Sequence, residues 1–264
     1  MNIQELRKLY LREEKTTFCP GCGYEIFINC FLRAVEKLGK KLDDYAFTAG
    51  IGCSAWVPNN YFRADNFHTA HGRAIPAAIG LKLANPDLEV VTIGGDGDIA
   101  SIGGNHLIHA IRKNVSIAVF CLNNFVYGMT GGQVGPTTPL KSRTSTTSEG
   151  NLEEPFDLVR LVLSVGGKHA SRYPTSYPHL LVKGVENMLL SPGFCFMEVV
   201  SQCPRQYGVR NEAPTASSML AWQKRHYVSK EKARALNSGE LEGGTVFGNF
   251  RSLKEYLGFL PDEE

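Results

Sequence analysis

Apolar residues in this chain recur at two spacings, and the spacing switches several times. Over residues 24–39 they follow a helical period, as in Tyr24, Phe27, Ile28 and Phe31, which predicts a helix with one buried face. Residues 45–50, 88–94, 115–122 and 193–200 are instead short, almost continuous apolar runs, such as Val119-Phe120-Cys121-Leu122. Runs of that length read as strands buried on both sides, as parallel strands are. Helical patterns at 71–84, 99–112, 153–164 and 177–190 separate the strands, with one more short strand near 168–172. The alternation predicts an α/β fold: a doubly wound, mostly parallel sheet covered by helices on both faces.

Two stretches break this rhythm. Residues 124–150 are rich in Thr, Gly, Ser and Pro and hold little that could form a core; loops of that length are usually functional or mobile. This one is expected to cover a ligand at its start and to face substrate or partner later. Residues 206–264 turn polar, with Gly243-Gly244 and the acidic end Asp262-Glu263-Glu264. The expected division is a ligand-binding domain over 1–205 and a C-terminal arm over 206–264 that packs on a partner subunit, a disordered extension being the other reading.

Composition narrows the functional classes. With 264 residues, 43% of them hydrophobic, the chain can bury one large core or two small ones. A net charge of +2 leaves no strongly basic surface, so no nucleic-acid partner is expected. Residues 1–18 are charged throughout and lack the apolar centre of a signal peptide, and no apolar run reaches the ~18 residues of a membrane span. A cytoplasmic protein without a membrane partner is expected. Seven cysteines in that setting point to metal or redox chemistry and not to a disulfide framework.

Candidate chemistry begins where two of the strands end. Gly95-Asp96-Gly97-Asp98 closes the run Val90-Val91-Thr92-Ile93-Gly94, and Asn123-Asn124 closes the next one. Strands of a doubly wound sheet end along one edge, so Asp96 and Asn124 can converge although a crossover helix separates them in sequence. A hard cation that keeps diphosphate oxygens among its ligands needs one carboxylate and a neutral carbonyl or two. Asp96 and Asn124 provide that set for Mg²⁺, and the glycines let the backbone approach the phosphates. The plain alternative is a Gly-Asp turn between strand and helix.

The cysteines sort by context. Cys30 lies in the apolar-periodic helix, and Cys121 and Cys195 lie within buried strands, so these three read as packing residues. Cys19 and Cys22 form Cys-Pro-Gly-Cys-Gly ahead of the helix, while Cys53 and Cys203 each follow a strand. The last two therefore belong to the same sheet edge as Asp96 and Asn124. Four loop thiols suit zinc or an iron-sulfur cluster, and Cys-x-x-Cys alone suits redox chemistry without metal. Only one Cys-x-x-Cys knuckle is present, with the other two ligands arriving singly, which favours a cluster.

The paired Gly-Asp-Gly and Asn resemble the thiamine diphosphate motif. Together with Cys19-Pro20-Gly21-Cys22-Gly23, Gly50-Ile51-Gly52-Cys53-Ser54, His68-Thr69-Ala70-His71-Gly72-Arg73-Ala74, residues 123–133 and Cys203-Pro204, they make the chain similar to β subunits of 2-oxoacid:ferredoxin oxidoreductases over roughly residues 16–210. The resemblance implies the diphosphate-binding half of a thiamine diphosphate fold, so that 1–205 would be that cofactor's domain. It implies that Cys19, Cys22, Cys53 and Cys203 hold a 4Fe-4S cluster, and that Asp96, Asn124 and the carbonyl of Val126 bind Mg²⁺. It places Ile51, Gly52, Cys53, Ser54, His71, Gly95, Gly97, Asp98, Tyr127, Gly128, Met129 and Thr130 against the cofactor. Met129 would support its bent conformation.

The chemistry so implied is oxidative decarboxylation of a 2-oxoacid, with coenzyme A taking the acyl group and ferredoxin the electrons. The glutamate that activates the cofactor's pyrimidine N1′ belongs in this family to another subunit, and no second cofactor-binding half is found here. An α subunit is therefore an expected partner, with further small subunits as additional candidates. His71, beside Gly72 at a helix start, could donate to the diphosphate or steer protons; His68 reads equally well as structural. Gly128-Met129-Thr130-Gly131-Gly132-Gln133 resembles the 2-oxoglutarate branch most. Gly131 stands where some relatives carry a lysine for the distal carboxylate, which leaves that contact to another subunit or to a residue such as Arg143. Two other readings compete: a non-redox decarboxylase subunit, which leaves the loop cysteines unused, and a zinc-stapled interaction subunit, which leaves the Mg²⁺ motif unused.

Overall fold

The computed structural model describes residues 1–13, 15–236 and 244–260. Eight strands form the main sheet. They are β1 (Tyr45–Ala49), β2 (Asn66–His68), β3 (Glu89–Gly95), β4 (Ala118–Asn123), β7 (Ala170–Pro174), β8 (Cys195–Val200), β9 (Tyr227–Ser229) and β10 (Thr245–Phe250). Their order is β2-β1-β3-β4-β8-β7-β10-β9, parallel except where β10 runs against β7. A small antiparallel pair, β5 (Val126–Tyr127) with β6 (Gln133–Val134), stands apart from it. The doubly wound, mostly parallel α/β fold is the architecture observed; the four strands read from apolar runs are β1, β3, β4 and β8, and the short strand expected near 168–172 is β7.

Helices cover the sheet on both faces. On one, α2 (Gly23–Lys37) packs against α6 (Pro178–Leu189) and buries Phe27, Phe31, Leu32 and Val35. Phe31 is fully buried among the rings of Phe27, Tyr45, Phe47, Phe62 and Phe120, with centroids 5.5–6.5 Å away. That contact fixes α2 on the sheet and so fixes its amino end, where Cys22 is the N-cap. A second apolar cluster is built from α3 (Ala74–Ala84), α4 (Gly104–Lys113) and α5 (Leu158–Ser164). No helix among the described residues is long and apolar enough to cross a membrane.

Element boundaries differ from the sequence reading for local reasons. The helix expected from residue 71 begins at Ala74, because Gly72 adopts a left-handed φ of +72°. The helix expected over 99–112 is a π-helical turn over residues 97–102 followed by α4. The one expected from 153 starts at Leu158, after Pro155, with Asp157 as its side-chain cap.

The larger correction concerns residues 206–264. Gly243 and the acidic end at 262–264 lie outside the described residues, but the rest of the segment is not an arm separate from the core. After α7 (Ala216–His226), β9 and α8 (Lys230–Ala233), β10 pairs with β7, and α9 (Leu253–Leu257) follows. Tyr207, Met219, Tyr227 and Phe247 join one apolar cluster and Val246, Phe250 and Tyr256 the other, so a boundary at 205 would cut through both cores.

Fully buried Phe250 packs edge-on against Tyr256 at 4.9 Å. Phe250→Ala is expected to lower the unfolding free energy by about 3–5 kcal/mol, the cost of truncating a core aromatic ring. Denaturant titration checks this, and an unchanged midpoint would mean that the terminal segment lies outside the cooperative core.

Candidate functional site

Strands β1, β3, β4 and β8 are neighbours and parallel, so their carboxyl ends share one edge. The four segments leaving that edge are 50–54, 96–98, 124–126 and 201–203. The first three of these line a common cleft. Ile51, Gly52, Cys53, Ser54, His71, Gly95, Asp96, Gly97, Asp98, Asn124, Val126, Tyr127, Gly128, Met129 and Thr130 all line it. Every residue expected to touch the cofactor or Mg²⁺ is thus brought to one place. Gly97 permits a close approach there, since a Cβ would stand 2.2 Å from the Tyr127 ring.

Asp96 is 2% exposed. Burial pushes its carboxyl up to about 6, against the lowering effect of hydrogen bonds from Thr137 and from backbone N–H groups of Asn124 and Asp96 itself. The neighbouring charge that influences it is Glu198, of like sign, which raises it further. Asn124 and Val126 flank Phe125, whose φ of +68° is left-handed and costs of order 1–3 kcal/mol in a non-glycine residue. Ring contacts with Tyr207 at 5.3 Å and Trp222 at 6.2 Å hold it, and Thr138 donates to its carbonyl. The strained turn folds Asn124 Oδ1 back to accept Val126 N–H at 3.2 Å.

Asp98 faces protein more than open space. Its Oδ1 accepts from Gly72 N at 2.7 Å and Ile51 N at 3.3 Å and lies 2.5 Å from His71 Nδ1, while Oδ2 is buried without a partner. A Cβ on Gly50 would stand 2.3 Å from both carboxylate oxygens. The carboxylate thereby fixes the His71 ring from behind and leaves Nε2 as its free nitrogen. His71 also meets Tyr127 edge-on, with centroids 6.3 Å apart.

The four loop thiols form one group. Cys22, the N-cap of α2, is pushed up to about 12 and Cys53 to about 11, first by burial and then by neighbouring thiolates; Cys203 is raised by burial too. Cys22 feels Cys203, Cys53 and Cys19, Cys53 feels Cys203 and Cys19, and Cys203 feels Cys19. The sulfurs of Cys53 and Cys203 both lie within 4.0 Å of the point where a Gly128 Cβ would stand. The 19–23 loop is tied to the β8 exit by Gly23 N–H donating to Gln202 O at 3.0 Å. Among the described residues no three His, Cys, Asp or Glu side chains converge at single-ion spacing. Cys30, Cys121 and Cys195 are buried in the apolar clusters, apart from this group.

Some residues fall elsewhere. His68 is exposed on edge strand β2 and Arg73 is exposed as the N-cap of α3. Arg143 does not line the cofactor cleft; it borders a separate open trough with Lys141 and Arg210. Two contributors escaped the sequence reading. Tyr24, counted on the apolar face of α2, lines the cleft and donates to Leu122 O at 3.0 Å. Thr137 reaches Asp96 from the 124–150 loop, and the only sequence signal for it was the polarity of that loop.

Residues 50–199 match the model of the thiamine pyrophosphate enzyme C-terminal TPP binding domain. The chain is 42% identical over 248 residues to 2-oxoglutarate synthase subunit KorB of Methanocaldococcus jannaschii, covering 93% of this chain and 92% of that one. It is 44% identical over 253 residues to the same subunit of Methanothermobacter marburgensis, covering 95% and 88%. It is 36% identical over 195 residues to 2-oxoacid:ferredoxin oxidoreductase 2, subunit beta, of Aeropyrum pernix, covering 74% and 63%. Among solved structures it resembles 2-oxoglutarate:ferredoxin oxidoreductase from Magnetococcus marinus with 2-oxoglutarate, coenzyme A and succinyl-CoA bound. The TM-score is 0.81 and the identity 31%, over 96% of this chain and 88% of that one. With the cleft at the strand ends and these matches along nearly its whole length, the chain belongs to the β subunits of the 2-oxoacid:ferredoxin oxidoreductases, a family of thiamine diphosphate enzymes.

Proposed function

We propose that this subunit carries the diphosphate half of a CoA-acylating enzyme that converts 2-oxoglutarate to succinyl-CoA and passes the electrons to ferredoxin. One observation carries the reading: Cys53 lines the cofactor cleft and also belongs to the four-thiol group, so cofactor and electron acceptor meet at one residue. The 2-oxoglutarate preference rests on relatives of that name at 42–44% identity.

The residues present suit the groups the family implies. A buried carboxylate whose charged neighbour is Glu198 calls for a cation, and Asp96 with the Asn124 amide oxygen and the Val126 carbonyl offers the hard oxygen donors Mg²⁺ takes. Four neighbouring loop thiols, one Cys-x-x-Cys pair with two cysteines arriving singly, suit a 4Fe-4S cluster better than a structural zinc, which usually draws on two such pairs. When bound, thiamine diphosphate supplies the carbanion that attacks the keto carbon and the ring that accepts electrons as CO₂ leaves, and the cluster removes them one at a time.

The chain's own residues bind, orient and shield. Asp96, Asn124 and Val126 hold the metal that neutralises the diphosphate, and Gly95 and Gly97 let the backbone come close. Ile51, Gly52, Ser54, Tyr127, Gly128 and Thr130 wall the cleft, and Met129 reaches into it as an apolar support. His71, held by Asp98, offers Nε2 as a proton donor or acceptor at the cleft wall. Aspartates 96 and 98 are the only acidic side chains among the lining residues, and both are engaged, so the acid for the pyrimidine N1′ comes from an α subunit. Further small subunits would carry electrons onward, and a cytoplasmic setting matches the seven free cysteines.

Four outcomes test this. Because Asp96 must lose its proton to bind the ion, Mg²⁺ affinity of the assembled enzyme should rise with pH up to about 6 and then level off, falling about tenfold per unit below that. Asp96→Ala should abolish Mg²⁺-dependent cofactor retention in calorimetric titration, and unchanged affinity there would remove the metal assignment. Iron and sulfide analysis after anaerobic purification should find the cluster lost in Cys203→Ser and kept in Cys121→Ser; full iron in the former would count against the four-thiol site. Finally, CoA-dependent ferredoxin reduction should be absent for the chain alone and present when it is co-expressed with its α subunit, with 2-oxoglutarate preferred over pyruvate and 2-oxoisovalerate. Turnover by the isolated chain would overturn the shared site, whereas a preference for pyruvate would overturn only the substrate.

A further inference from the structure

A continuous line of buried hydrogen bonds runs from Asp96 to the C-terminal helix. Thr137 Oγ1 lies 2.7 Å from Asp96 Oδ2 and 2.8 Å from Asn123 Oδ1. Asn123 donates its amide to Glu198 Oε1 at 2.7 Å, and its oxygen accepts Phe125 N–H at 2.9 Å. Glu198 Oε2 accepts from Arg172 Nε at 2.6 Å, and Arg172 goes on to Tyr256 Oη at 2.9 Å and Asp157 Oδ1 at 2.6 Å. Asp96, Thr137, Asn123 and Glu198 are each at most 3% exposed, and of the four only Asp96 lines the cleft.

The hydroxyl of Thr137 has one proton for two oxygens. The orientation of Asn123 is set by Phe125 N–H on its oxygen and Glu198 on its nitrogen, so that oxygen already has a donor. The Thr137 proton therefore goes mainly to the charged acceptor, Asp96, because a hydrogen bond to a carboxylate is the stronger of the two. Thr137 is in turn braced by Gly135 and Thr138, whose backbone and hydroxyl are joined at 2.9 Å, and by the Asn123–Glu198–Arg172 line. Arg172 is itself held at all three nitrogens by two carboxylates and a phenol, which braces that end of the line.

We propose that Thr137 is a positioning residue for the metal site, holding the Asp96 carboxylate in the rotamer that faces Mg²⁺ while the line to Arg172 fixes Thr137. This rests on the Mg²⁺ reading given above. Removing the hydroxyl would leave Asp96 Oδ2 buried without its donor and free the side chain to turn, and outer partners of metal ligands commonly control affinity by 10–100-fold.

The test uses the complete enzyme with its α subunit, stripped of metal and titrated calorimetrically with Mg²⁺ in saturating thiamine diphosphate. Thr137→Val keeps the shape and removes the hydroxyl, while Thr137→Ser keeps the hydroxyl. The valine variant is expected to bind Mg²⁺ about tenfold more weakly or worse, with the Mg²⁺ concentration for half-maximal turnover rising by the same factor, and the serine variant to recover most of the loss. Wild-type affinity in Thr137→Val, or an equal loss in both variants, would overturn the proposal, as would a lowered melting temperature with unchanged Mg²⁺ affinity. If the valine variant does not assemble, Thr137→Ala against Thr137→Ser makes the same comparison. Asp96→Ala run alongside separates the two claims: unchanged affinity there removes the Mg²⁺ site itself, while loss there with none in Thr137→Val removes only the positioning role.

Discussion

A carboxylate buried at the end of a central strand is the constraint around which this subunit is arranged. Asp96 gets hydrogen bonds from Thr137 and from backbone N–H groups, but hydrogen bonds alone leave it well above the usual carboxylate range. Its charged neighbour Glu198 is of the same sign and is already paired with Arg172. The chain therefore holds a buried negative charge at a cost that the cation of the proposed diphosphate site would relieve. The parallel order β1-β3-β4-β8 follows from the same need, since it delivers four loops to one edge.

How much of this was legible depends on how local the cause was. Four of the five central strands could be read because each is a buried apolar run, with β7 placed by the rhythm of helices around it, and the strand ends Asp96, Asn124, Cys53 and Cys203 followed from them. β10 could not: Thr245–Phe250 contains Gly248, and its place against β7 is set by a long-range antiparallel pairing. The 124–150 loop looked poor in core residues and is. Its order comes from hydroxyls, with Thr137, Thr138, Ser142 and Thr144 all buried, a kind of packing that leaves no apolar period. Tyr24 was hidden by its own helix, where an aromatic ring at an apolar position carries no mark of a hydroxyl facing a cleft.

The thiol group depends on packing far from it. Phe31 and its five neighbouring rings seat α2 on the sheet, and Cys22 caps the end of that helix so placed. Phe18, one residue before Cys19, packs against the rings of Tyr24, Trp56 and Tyr61 at 5.2–6.2 Å, which anchors the Cys19 loop on the start of α2 and on the segment after Cys53.

The C-terminal segment acquires a purpose from this arrangement. Arg172 on β7 is buried, and a guanidinium so placed is tolerated only when its donors are all met. Glu198 accepts from its Nε, Tyr256 from α9 and Asp157 accept from its two terminal nitrogens, and Tyr256 also donates to Asp157 at 2.5 Å. Without β10 to bring α9 across β7, Arg172 would lose a partner, and Glu198 would then be drawn from Asn123 toward the unmet cation. The terminal strand thus stabilises, through a buried ion pair, the polar groups that stand behind the cofactor edge. Its place in the sheet is as much a part of the site's construction as the loops that touch the ligand.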